Sequence, residues 1–388
     1  MLGRKGLPTN LRPLESDNVR IVYSHDIFSF QAYGGISRYF VEIAKRIPAN
    51  EAKVQIFAGL HINEYLKGLP GLIGFKLPVL KNRGLPARII NGSMYYIRWN
   101  INNLLQRVLI RSDPRTILHL SYYTRPRAKK KLKLVVTVYD MIRELFDQYF
   151  PHDHRPTQLK RLCCEQADKI IAISNCTKKD LMNLFRVGDE KIAVIYLGNP
   201  LENVSPGGEK ETIQTPYVLY VGARRGYKNF DRLLQVFSQS SLLRKEFSLV
   251  CFGDRFSPAE QKRLKDLGLG HRVQQVSGSD SLLLSHYKHA RVFVFPSLYE
   301  GFGIPLVEAM GAGCPVLCSN RGPFPEIVGD AGIYFDPEDV DHMQSVMEKA
   351  LFDDTLLGEK VKRGCERSSM FSWDRSARQT LTVYRSLL

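Results

Sequence analysis

The stretch VFVFPSLYEGFGIPLVEAM, residues 292–310, contains a short apolar run, a glycine-rich turn and a second apolar segment. The run 292–295 has the length and composition of a buried strand, and it stops at Pro296. The segment that begins near Pro305 has the pattern of a helix. The stretch therefore predicts a strand, a turn and a helix, with Glu300 in the turn and Glu308 near the start of the helix.

Two interpretations of this unit fit its residues. Gly301 and Gly303 let a ligand approach the backbone, and the helix would point its free N–H groups at the turn, as helix N-termini do when they bind phosphate. Glu308 would then accept hydrogen bonds from sugar hydroxyls. Alternatively, Glu308 complements the helix dipole and Glu300 is a structural cap. The dinucleotide pattern GxGxxG is absent because Leu306 stands at the third glycine position.

Strand and helix patterns alternate in two series along the 388 residues. Strands are predicted first at 20–23, 54–59, 116–120, 134–140, 169–174 and 192–198, and then at 217–222, 247–253, 273–278, 292–297, 315–319 and 331–336. The Pro- and Gly-rich segment 199–216 between the series is typical of a linker. Continuous apolar runs separated by helices indicate parallel sheets covered on both faces. We therefore predict an α/β protein with two facing, doubly wound Rossmann-like domains.

The predicted boundaries are 1–200 for the first domain, 201–215 for the linker, 216–370 for the second domain and 371–388 for a C-terminal helix. This helix carries apolar and small residues on one face, at Trp373, Ala377, Leu381, Tyr384 and Leu387. Its periodicity alone does not say which domain it contacts.

Two further turns follow predicted strands, where ligands of doubly wound sheets bind. In VGARRGYKNF, 221–230, the side chains of Arg224, Arg225 and Lys228 would clamp a diphosphate by charge-assisted hydrogen bonds. In AYGGISRYF, 32–40, Gly34 and Gly35 precede a helix and would present backbone amides to the same diphosphate. A solvated basic turn and a tight turn without a ligand are the alternatives.

The net charge of +16 comes entirely from the first half of the chain. Residues 1–200 hold 32 Lys and Arg against 16 Asp and Glu, whereas residues 201–388 hold 23 of each. Between Glu64 and Asp113 there is no acidic residue, and basic residues alternate with apolar ones. This pattern favours a helix that lies on an anionic membrane, with the basic run 125–133 adding to the attraction. A core-packed helix with solvated arginines is the alternative.

Several classes of protein and site are disfavoured. There is no RRM, zinc-finger or helix-turn-helix signature, so no nucleic-acid partner is expected. With no leader, no apolar run of about 18 residues and no CxxC pair among seven cysteines, we expect a cytoplasmic protein, at most peripheral at the inner face of the cell membrane. Asp339-Val340-Asp341 spells a DxD motif, but these residues precede an amphipathic helix and are better explained as helix N-terminal acids. We expect no metal or other cofactor.

The quoted segments together resemble the retaining glycosyltransferases of family 4, which have the GT-B fold of two facing Rossmann-like domains. FPSLYEGFGIPLVEAMGAGCPVLCSN, 295–320, is similar to the EX7E signature of that family, with Glu300 and Glu308 as the pair. GGISRYF is similar to its first-domain glycine loop, and VGARRGYKNF to its donor-diphosphate clamp. The resemblance extends from about Ile21 to the C-terminus, and the helix around Trp373 resembles the family's crossover helix, which returns to the first domain.

The resemblance implies a role for each candidate residue. The first glutamate contacts the transferred sugar, the second holds the nucleotide ribose, and the basic turn binds the diphosphate. The implied catalytic residues are Glu300, Lys228 and Arg224; the implied donor-binding residues are Gly34, Gly35, Tyr139, Arg225, Phe302, Gly303, Ile304 and Glu308; Asp140 lies on the acceptor side.

One position departs from the family pattern. Many members carry His-Asp after the strand that here ends in VVTVYD, where this chain has Tyr139 and Asp140. A tyrosine, with an unperturbed pKa near 10, donates or accepts one hydrogen bond but does not act as a base at pH 7. Asp140 either contacts the acceptor or is the structural partner of a loop.

The implied activity is metal-independent, retaining transfer of a sugar from a nucleotide diphosphate, with mannose from GDP-mannose as the first choice. The implied acceptor is a glycan, with a lipid-linked glycan as the first choice, in the biosynthesis of a bacterial surface polysaccharide such as lipopolysaccharide. Expected partners are the nucleotide-sugar donor, the glycan or lipid-linked acceptor and an anionic membrane surface. The alternative is a noncatalytic protein of the same fold that binds nucleotide sugars or polyanions.

Overall fold

The computed structural model describes residues 19–78, 85–110, 113–125, 132–150, 153–205 and 215–388, with side chains described outside 85–93. The basic run predicted at 125–133 therefore lies mostly outside the described residues, as do residues 206–214 of the predicted linker. The domain boundaries stay predictions.

The first domain is built on a seven-stranded parallel sheet in the order β3-β2-β1-β4-β5-β6-β7. Its strands are β1 Val19–Tyr23, β2 Ala52–His61, β3 Leu72–Lys76, β4 Thr116–Leu120, β5 Lys133–Val138, β6 Lys169–Ala172 and β7 Ile192–Val194. All five residues of β4 are buried, and so are five of the six in β5. Burial on both faces explains why these strands are continuous apolar runs.

The second domain is built on a six-stranded parallel sheet in the order β10-β9-β8-β11-β12-β13. Its strands are β8 Tyr217–Val221, β9 Ser248–Phe252, β10 Val273–Val276, β11 Val292–Phe295, β12 Val316–Ser319 and β13 Gly332–Phe335. Both sheets extend in two directions from a central first strand, which is the Rossmann arrangement. The predicted α/β fold class is confirmed.

Helices connect the strands of both sheets. They are α1 Asp26–Phe30, α2 Gly35–Arg46, α3 Leu85–Leu109, α4 Ile142–Leu145, α5 Arg155–Gln166, α6 Asn175–Asp180, α7 Phe230–Gln239, α8 Ser241–Glu246, α9 Pro258–Asp266, α10 Asp280–His289, α11 Ile304–Gly311, α12 Phe324–Val328, α13 Val340–Leu351, α14 Asp354–Ser368 and α15 Trp373–Arg385. Throughout the described part of the chain, no helix combines the length and apolarity that crossing a membrane requires.

The last helix, α15, follows the second domain in sequence but packs against α2 of the first. The hydroxyl of Tyr384 lies 2.6 Å from Nδ1 of the buried His119 in β4. Burial lowers the pKa of His119 to about 3, so its ring remains neutral at physiological pH. Arg46 and Glu51 of the first domain pair at the surface with Asp374 and Arg385. The apolar face predicted for this helix therefore completes the first-domain core.

One strand, β3, was not predicted from the sequence. It lies at the edge of the first sheet, and none of its residues is fully buried. Phe75 is 78% exposed. An edge strand with one open side lacks the continuous apolar pattern by which the other strands were recognised.

Candidate active site

The turn between β11 and α11 contains the first sequence-predicted site. Gly303 is the N-cap of α11 and has φ +94°, a left-handed conformation that glycine adopts without steric cost. The helix then begins at Ile304 with Pro305 in its first turn. The free amides at this end of α11 therefore face the turn that carries Glu300.

Glu300 pairs with Lys228 across two turns of the second domain. Lys228 Nζ lies 2.5 Å from Glu300 Oε1, and both side chains are only partly exposed. The backbone N–H of Leu298 donates to the carbonyl of Tyr227, at 2.8 Å, so the two turns are joined directly. The structure therefore brings together the acidic and basic groups that the sequence placed in separate motifs.

Asn229 fixes the Lys228 turn from the other side. It adopts a left-handed conformation, with φ 60°, and its side-chain amide donates to the carbonyls of Pro296 and Pro337 at 3.1 and 2.7 Å. These buried hydrogen bonds restrain the backbone next to Lys228.

Glu308 is buried in the middle of α11, whose first turn contains no acidic residue, so its predicted position near the start of the helix is wrong and the helix-dipole alternative is not supported. Its side chain accepts a 3.0 Å hydrogen bond from the hydroxyl of Tyr287 in α10. Burial raises the pKa of Glu308 to about 7, and the nearby Arg38 opposes this effect. The carboxyl group therefore changes charge near neutral pH.

Gly301 lies at a close approach between the backbones of the two domains. Its carbonyl accepts hydrogen bonds from Ser174 Oγ at 2.7 Å and Thr177 Oγ1 at 3.3 Å. A Cβ atom at this position would lie 1.6 Å from the backbone oxygen of Tyr139. Only glycine fits here, so the Glu300 turn and the end of β5 meet backbone to backbone.

Glu326 of the second domain caps α6 of the first domain, the helix that also contains Thr177. Its carboxylate accepts from the backbone N–H groups of Asn175 and Cys176, at 2.7 and 3.1 Å. These two amides belong to the first turn of α6, where a carboxylate is favoured by both hydrogen bonding and the helix dipole. The contact holds α6 against the edge of the second domain.

The glycine loop of the first domain lies opposite α11. Gly34 is the N-cap of α2, and a Cβ atom on Gly35 would lie 3.7 Å from the side chain of Ile304. The N-termini of α2 and α11 therefore face each other across the cleft. In α2, Arg38 donates to Asp280 of the second domain at 2.8 Å, which adds a further contact between the domains, and it also donates to the carbonyl of Pro200.

The two arginines of the basic turn differ in their environment. Arg224 is buried; its Nε donates to Glu260 at 2.7 Å, and one terminal nitrogen donates to the carbonyls of Asp254 and Arg255. Most of its hydrogen-bonding capacity is thus used within the second domain. Arg225 is exposed. Their predicted roles with the diphosphate stay predictions.

Three other predicted residues, Tyr139, Phe302 and Asp140, lie in or beside the Glu300 turn. The ring of Tyr139 is buried beside that of Tyr39, with centroids 5.9 Å apart, and its carbonyl is the part that meets the Glu300 turn. Phe302 packs its ring on Tyr196 and Phe371 in the core. A contact between the sugar donor and either side chain would require that ring to move out of its packed position. Asp140 is partly exposed beside the turn.

Sequence reasoning missed the residues that hold the site together, namely Tyr287, Ser174, Thr177, Glu326 and Arg38. A signal was available for Ser174, because it follows strand β6 and precedes a helix, where serine is a favoured N-cap. No local pattern links Tyr287 or Glu326 to the motifs, because their partners lie 21 and about 150 residues away.

Asp339 of the DxD motif accepts a hydrogen bond from the backbone N–H of His342 at 2.9 Å, as the N-cap of α13. This confirms the interpretation of that residue as a helix N-terminal acid. Over the residues that the structure describes, no group of three or more His, Cys, Asp or Glu side chains has the arrangement of a metal site.

Family models of glycosyltransferases match both halves of the chain. Residues 33–203 match the family model Glycosyltransferase Family 4, and residues 208–365 match the model Glycosyl transferases group 1. The matches support a glycosyltransferase of the family 4 type with the GT-B fold.

Relatives and solved structures agree with this class. The chain is 27% identical to the O-antigen chain mannosyltransferase B of Escherichia coli over 369 residues, which cover 91% of this chain and 96% of the relative. It resembles the structure of sucrose-phosphate synthase from Thermosynechococcus elongatus, with a TM-score of 0.73, 21% identity and coverage of 96% and 99% of the two chains. WaaG, a glycosyltransferase involved in lipopolysaccharide biosynthesis, gives a TM-score of 0.68 at 17% identity, covering 94% and 99%. These similarities confirm the GT-B fold.

The charge of Glu308 should destabilise the folded protein above neutral pH. Burial raises its pKa from about 4.5 to about 7, so between these two pH values the folded state keeps a proton that the unfolded chain has released. The free energy of unfolding therefore falls as pH rises through this range. We expect Glu308→Gln to be more stable than the wild type at pH 8, by on the order of 2 kcal/mol, and equally stable at pH 4. Urea denaturation at both pH values measures this difference.

The matched control is Glu359→Gln, which removes the same charge from an exposed position in α14. It should not change stability at either pH by more than about 0.5 kcal/mol. A Glu308→Gln variant that is less stable than the wild type at pH 8 would contradict this prediction.

Gly301→Ala should uncouple nucleotide binding from transfer. The added Cβ would collide with the Tyr139 carbonyl, so the Glu300 turn must move away from the first domain. We expect turnover to fall by about 100-fold, since a displacement on the order of 1 Å has such an effect, whereas nucleotide affinity should change little. Turnover assays with calorimetric nucleotide titration check both quantities, and Gly358→Ala in α14, where a Cβ meets nothing within 4 Å, is the control. Wild-type turnover in Gly301→Ala would show that the contact is dispensable.

Proposed function

We propose that the protein is a retaining glycosyltransferase that transfers mannose from GDP-mannose to a glycan acceptor in the biosynthesis of a bacterial surface polysaccharide. The observation that carries this proposal is the Lys228–Glu300 pair, which lies in the cleft where the N-termini of α2 and α11 face each other. The similarity to an O-antigen mannosyltransferase along nearly the whole chain supports both the sugar and the pathway.

The donor diphosphate is expected between the two helix N-termini. Backbone amides at Gly34, Gly35 and the first turn of α11 donate hydrogen bonds to it, and the dipoles of both helices favour its negative charge. Lys228 exchanges its contact with Glu300 for a phosphate oxygen. Glu300 is thereby released to contact the hydroxyls of the sugar that is transferred.

Glu308 is proposed to bind the ribose of the nucleotide. An ionised carboxylate accepts hydrogen bonds from two neighbouring hydroxyls, and Tyr287 keeps it oriented from the protein side. Hydroxyl donors stabilise the ionised form, so nucleotide affinity should increase as pH rises through 7.

Charge that develops on the leaving diphosphate must be neutralised during transfer. Lys228 and the helix amides supply preorganised positive groups for this purpose, so the reaction as proposed proceeds without a metal ion. With no enzymic nucleophile assigned, the leaving diphosphate accepts the proton of the incoming hydroxyl on the same face of the sugar. The anomeric configuration is then retained.

The exposed face of α3 is proposed to hold the protein at an anionic membrane surface, where a lipid-linked acceptor would be found. Apolar residues of this helix are exposed: Met94, Tyr96, Ile97, Ile101, Leu104, Leu105, Val108 and Leu109. Asn102, by contrast, is buried and binds the backbone of Leu60 in β2. The helix is therefore oriented with its polar anchor inward and apolar side chains outward, the reverse of an ordinary surface helix.

Charge around this face agrees with an anionic lipid partner. Arg107 is exposed among the apolar residues, and the segment between Glu64 and Asp113 has no acidic side chain to repel a phosphate headgroup. Apolar insertion together with basic attraction is the combination by which interfacial helices bind membranes.

The donor is tested by thermal shift with GDP, UDP, dTDP and ADP and their common sugar conjugates, with and without EDTA. A ligand that binds only the folded state raises the melting temperature, and we expect GDP and GDP-mannose to do so whether or not EDTA is present. A shift by UDP compounds alone would replace the donor, and a shift abolished by EDTA would contradict metal independence.

Lys228→Ala should reduce turnover with the donor identified in this way by about 100- to 1000-fold, because a preorganised cation at the developing charge is lost. The control is Lys262→Ala, which breaks an exposed Lys262–Asp266 pair of similar length, 2.7 Å, in α9. NMR of the product shows whether the anomeric configuration is retained. Unchanged turnover in Lys228→Ala would remove the site assignment.

Membrane binding is tested by flotation with vesicles of phosphatidylcholine alone or with about 30% phosphatidylglycerol. We expect the wild type to float with the anionic vesicles at low salt and to be released at high salt, since surface charge is screened. Leu104→Ser with Val108→Ser should abolish flotation, whereas Leu242→Ser, at an exposed apolar position of the second domain, should not. A wild type that forms a dimer through this face and does not float would overturn the assignment.

A further inference from the structure

A groove with a volume of about 690 Å³ lies at the amino-terminal edge of the first sheet. It is bounded by the first residues of β1, β2 and β4, by the end of α2 and by the turn before β3. The Glu300 turn meets the opposite, carboxyl edge of this sheet at the end of β5, so the groove is separate from the candidate active site. Small-molecule pockets have volumes of about 300–1,000 Å³, so the groove is large enough for a ligand of nucleotide size.

Two basic side chains of the groove lie next to each other on the sheet. Arg20 in β1 and Lys53 in β2 are directly paired in the parallel register. Paired residues of neighbouring strands point to the same face of a sheet, and like charges in that position repel each other. Arg20 Nε donates to Gln55 at 2.9 Å, whereas the terminal nitrogens of Arg20 and the Nζ of Lys53 form no hydrogen bond or ion pair within the described ranges. No carboxylate of the described residues therefore offsets this repulsion.

The row of paired residues continues into a third strand. Thr116, the first residue of β4, pairs with Arg20 on the side away from Lys53. It is 1% exposed, and in the described part of the chain its hydroxyl has no hydrogen-bond partner. A buried hydroxyl without a partner is costly, and an oxygen of an anion bound beside Arg20 would accept its hydrogen bond. The row therefore offers two cations and one hydroxyl donor to a single anion.

The rest of the lining indicates which kind of anion fits. Arg115 adds a third basic residue, whereas Asp113 is the one acidic residue of the described lining and already accepts from the backbone N–H of Arg115 at 2.8 Å. Ala44, Ile47 and Pro70 give the groove an apolar part. Guanidinium, ammonium and hydroxyl groups match the oxygens of a phosphate, and an apolar surface matches an uncharged organic body.

The orientation of such a ligand follows from the helix dipole. Ala44 lies in the last turn of α2, and Ile47 directly follows this helix. The carboxyl end of a helix carries partial negative charge and disfavours a neighbouring anion. The organic body of the ligand is therefore expected on the α2 side of the groove, with the phosphate on the strands.

We propose that this groove binds a soluble organic phosphate, with the phosphate group on Arg20, Lys53 and Thr116 and the organic body against Ala44 and Ile47. The site is additional to the proposed donor site and does not depend on it. Because α2 begins at Gly35 in the glycine loop, a ligand in the groove contacts the far end of the helix whose N-terminus faces α11.

The test is acetylation of lysines on the full chain by an N-hydroxysuccinimide ester, at constant ionic strength and with peptide mass spectrometry as the readout. The probes are inorganic phosphate, ribose 5-phosphate, mannose 6-phosphate and adenosine monophosphate. We expect an organic phosphate present at about four times its dissociation constant to slow acetylation of Lys53 by about fivefold. Inorganic phosphate should require an about tenfold higher concentration, because it lacks the apolar contact. Lys349, an exposed lysine of α13, is the internal control and should react at an unchanged rate.

Variants separate this site from the cleft and from general charge effects. Arg20→Gln should weaken the protection of Lys53 by about tenfold through loss of a charge-assisted hydrogen bond. Thr116→Val keeps the shape of the side chain, so it should fold normally and weaken protection by about threefold. Lys228→Ala should leave protection unchanged. The matched control for Arg20 is Arg272→Gln, because Arg272 is a partly exposed arginine at the amino-terminal edge of the second sheet.

Three results would overturn the site: no slowing at Lys53 by any soluble phosphate, equal slowing at Lys349, or full protection in both Arg20→Gln and Thr116→Val. Loss of protection in Lys228→Ala would also overturn it, since the effect would then come from the cleft. Protection by vesicles with phosphatidylglycerol and by no soluble phosphate would assign the groove to a lipid headgroup and would overturn the proposed ligand. Protection without any nucleotide binding in the thermal-shift experiment would contradict the proposed donor and support this site.

Discussion

The backbone contact between Gly301 and the end of β5 is the constraint on which the arrangement of the cleft depends. Two parallel sheets present their carboxyl ends to each other, and the turn that carries Glu300 lies where those ends meet. A side chain at position 301 would push them apart, because its Cβ would lie 1.6 Å from the carbonyl oxygen of Tyr139. Ser174, Thr177 and Glu326 form hydrogen bonds between the two domains, and these bonds require the domains to be this close.

Charge in the cleft is balanced before any ligand arrives. Glu300 neutralises Lys228, Asp280 pairs with Arg38, and burial favours the protonated form of Glu308 at neutral pH or below. A diphosphate bound as proposed would therefore enter a site whose cations are already held in position by carboxylates. Replacing a carboxylate by a phosphate group beside a cation that is already ordered costs less reorganisation than ordering free lysine and arginine side chains would.

Much of the fold was predictable from the sequence because both sheets are buried on two faces. The twelve strands predicted as apolar runs are all present, whereas the edge strand β3, with Gly74 and the exposed Phe75, carries no such pattern. The motif residues Glu300 and Lys228 were also predicted, since each follows a strand at the carboxyl edge. The Glu308–Tyr287 bond and the capping of α6 by Glu326 were not, because they depend on tertiary packing between distant segments.

Helix α15 has a consequence for the order in which the protein forms during synthesis. The first sheet ends at Val194, but its core includes Tyr384, whose hydroxyl satisfies His119, so roughly 190 further residues must be translated before that core is complete. At about 5–20 residues per second this interval is roughly 10–40 s. During it, the apolar surface of α2 that α15 later covers stays open to water or to other proteins. The first domain therefore completes its core only after the second domain has been synthesised.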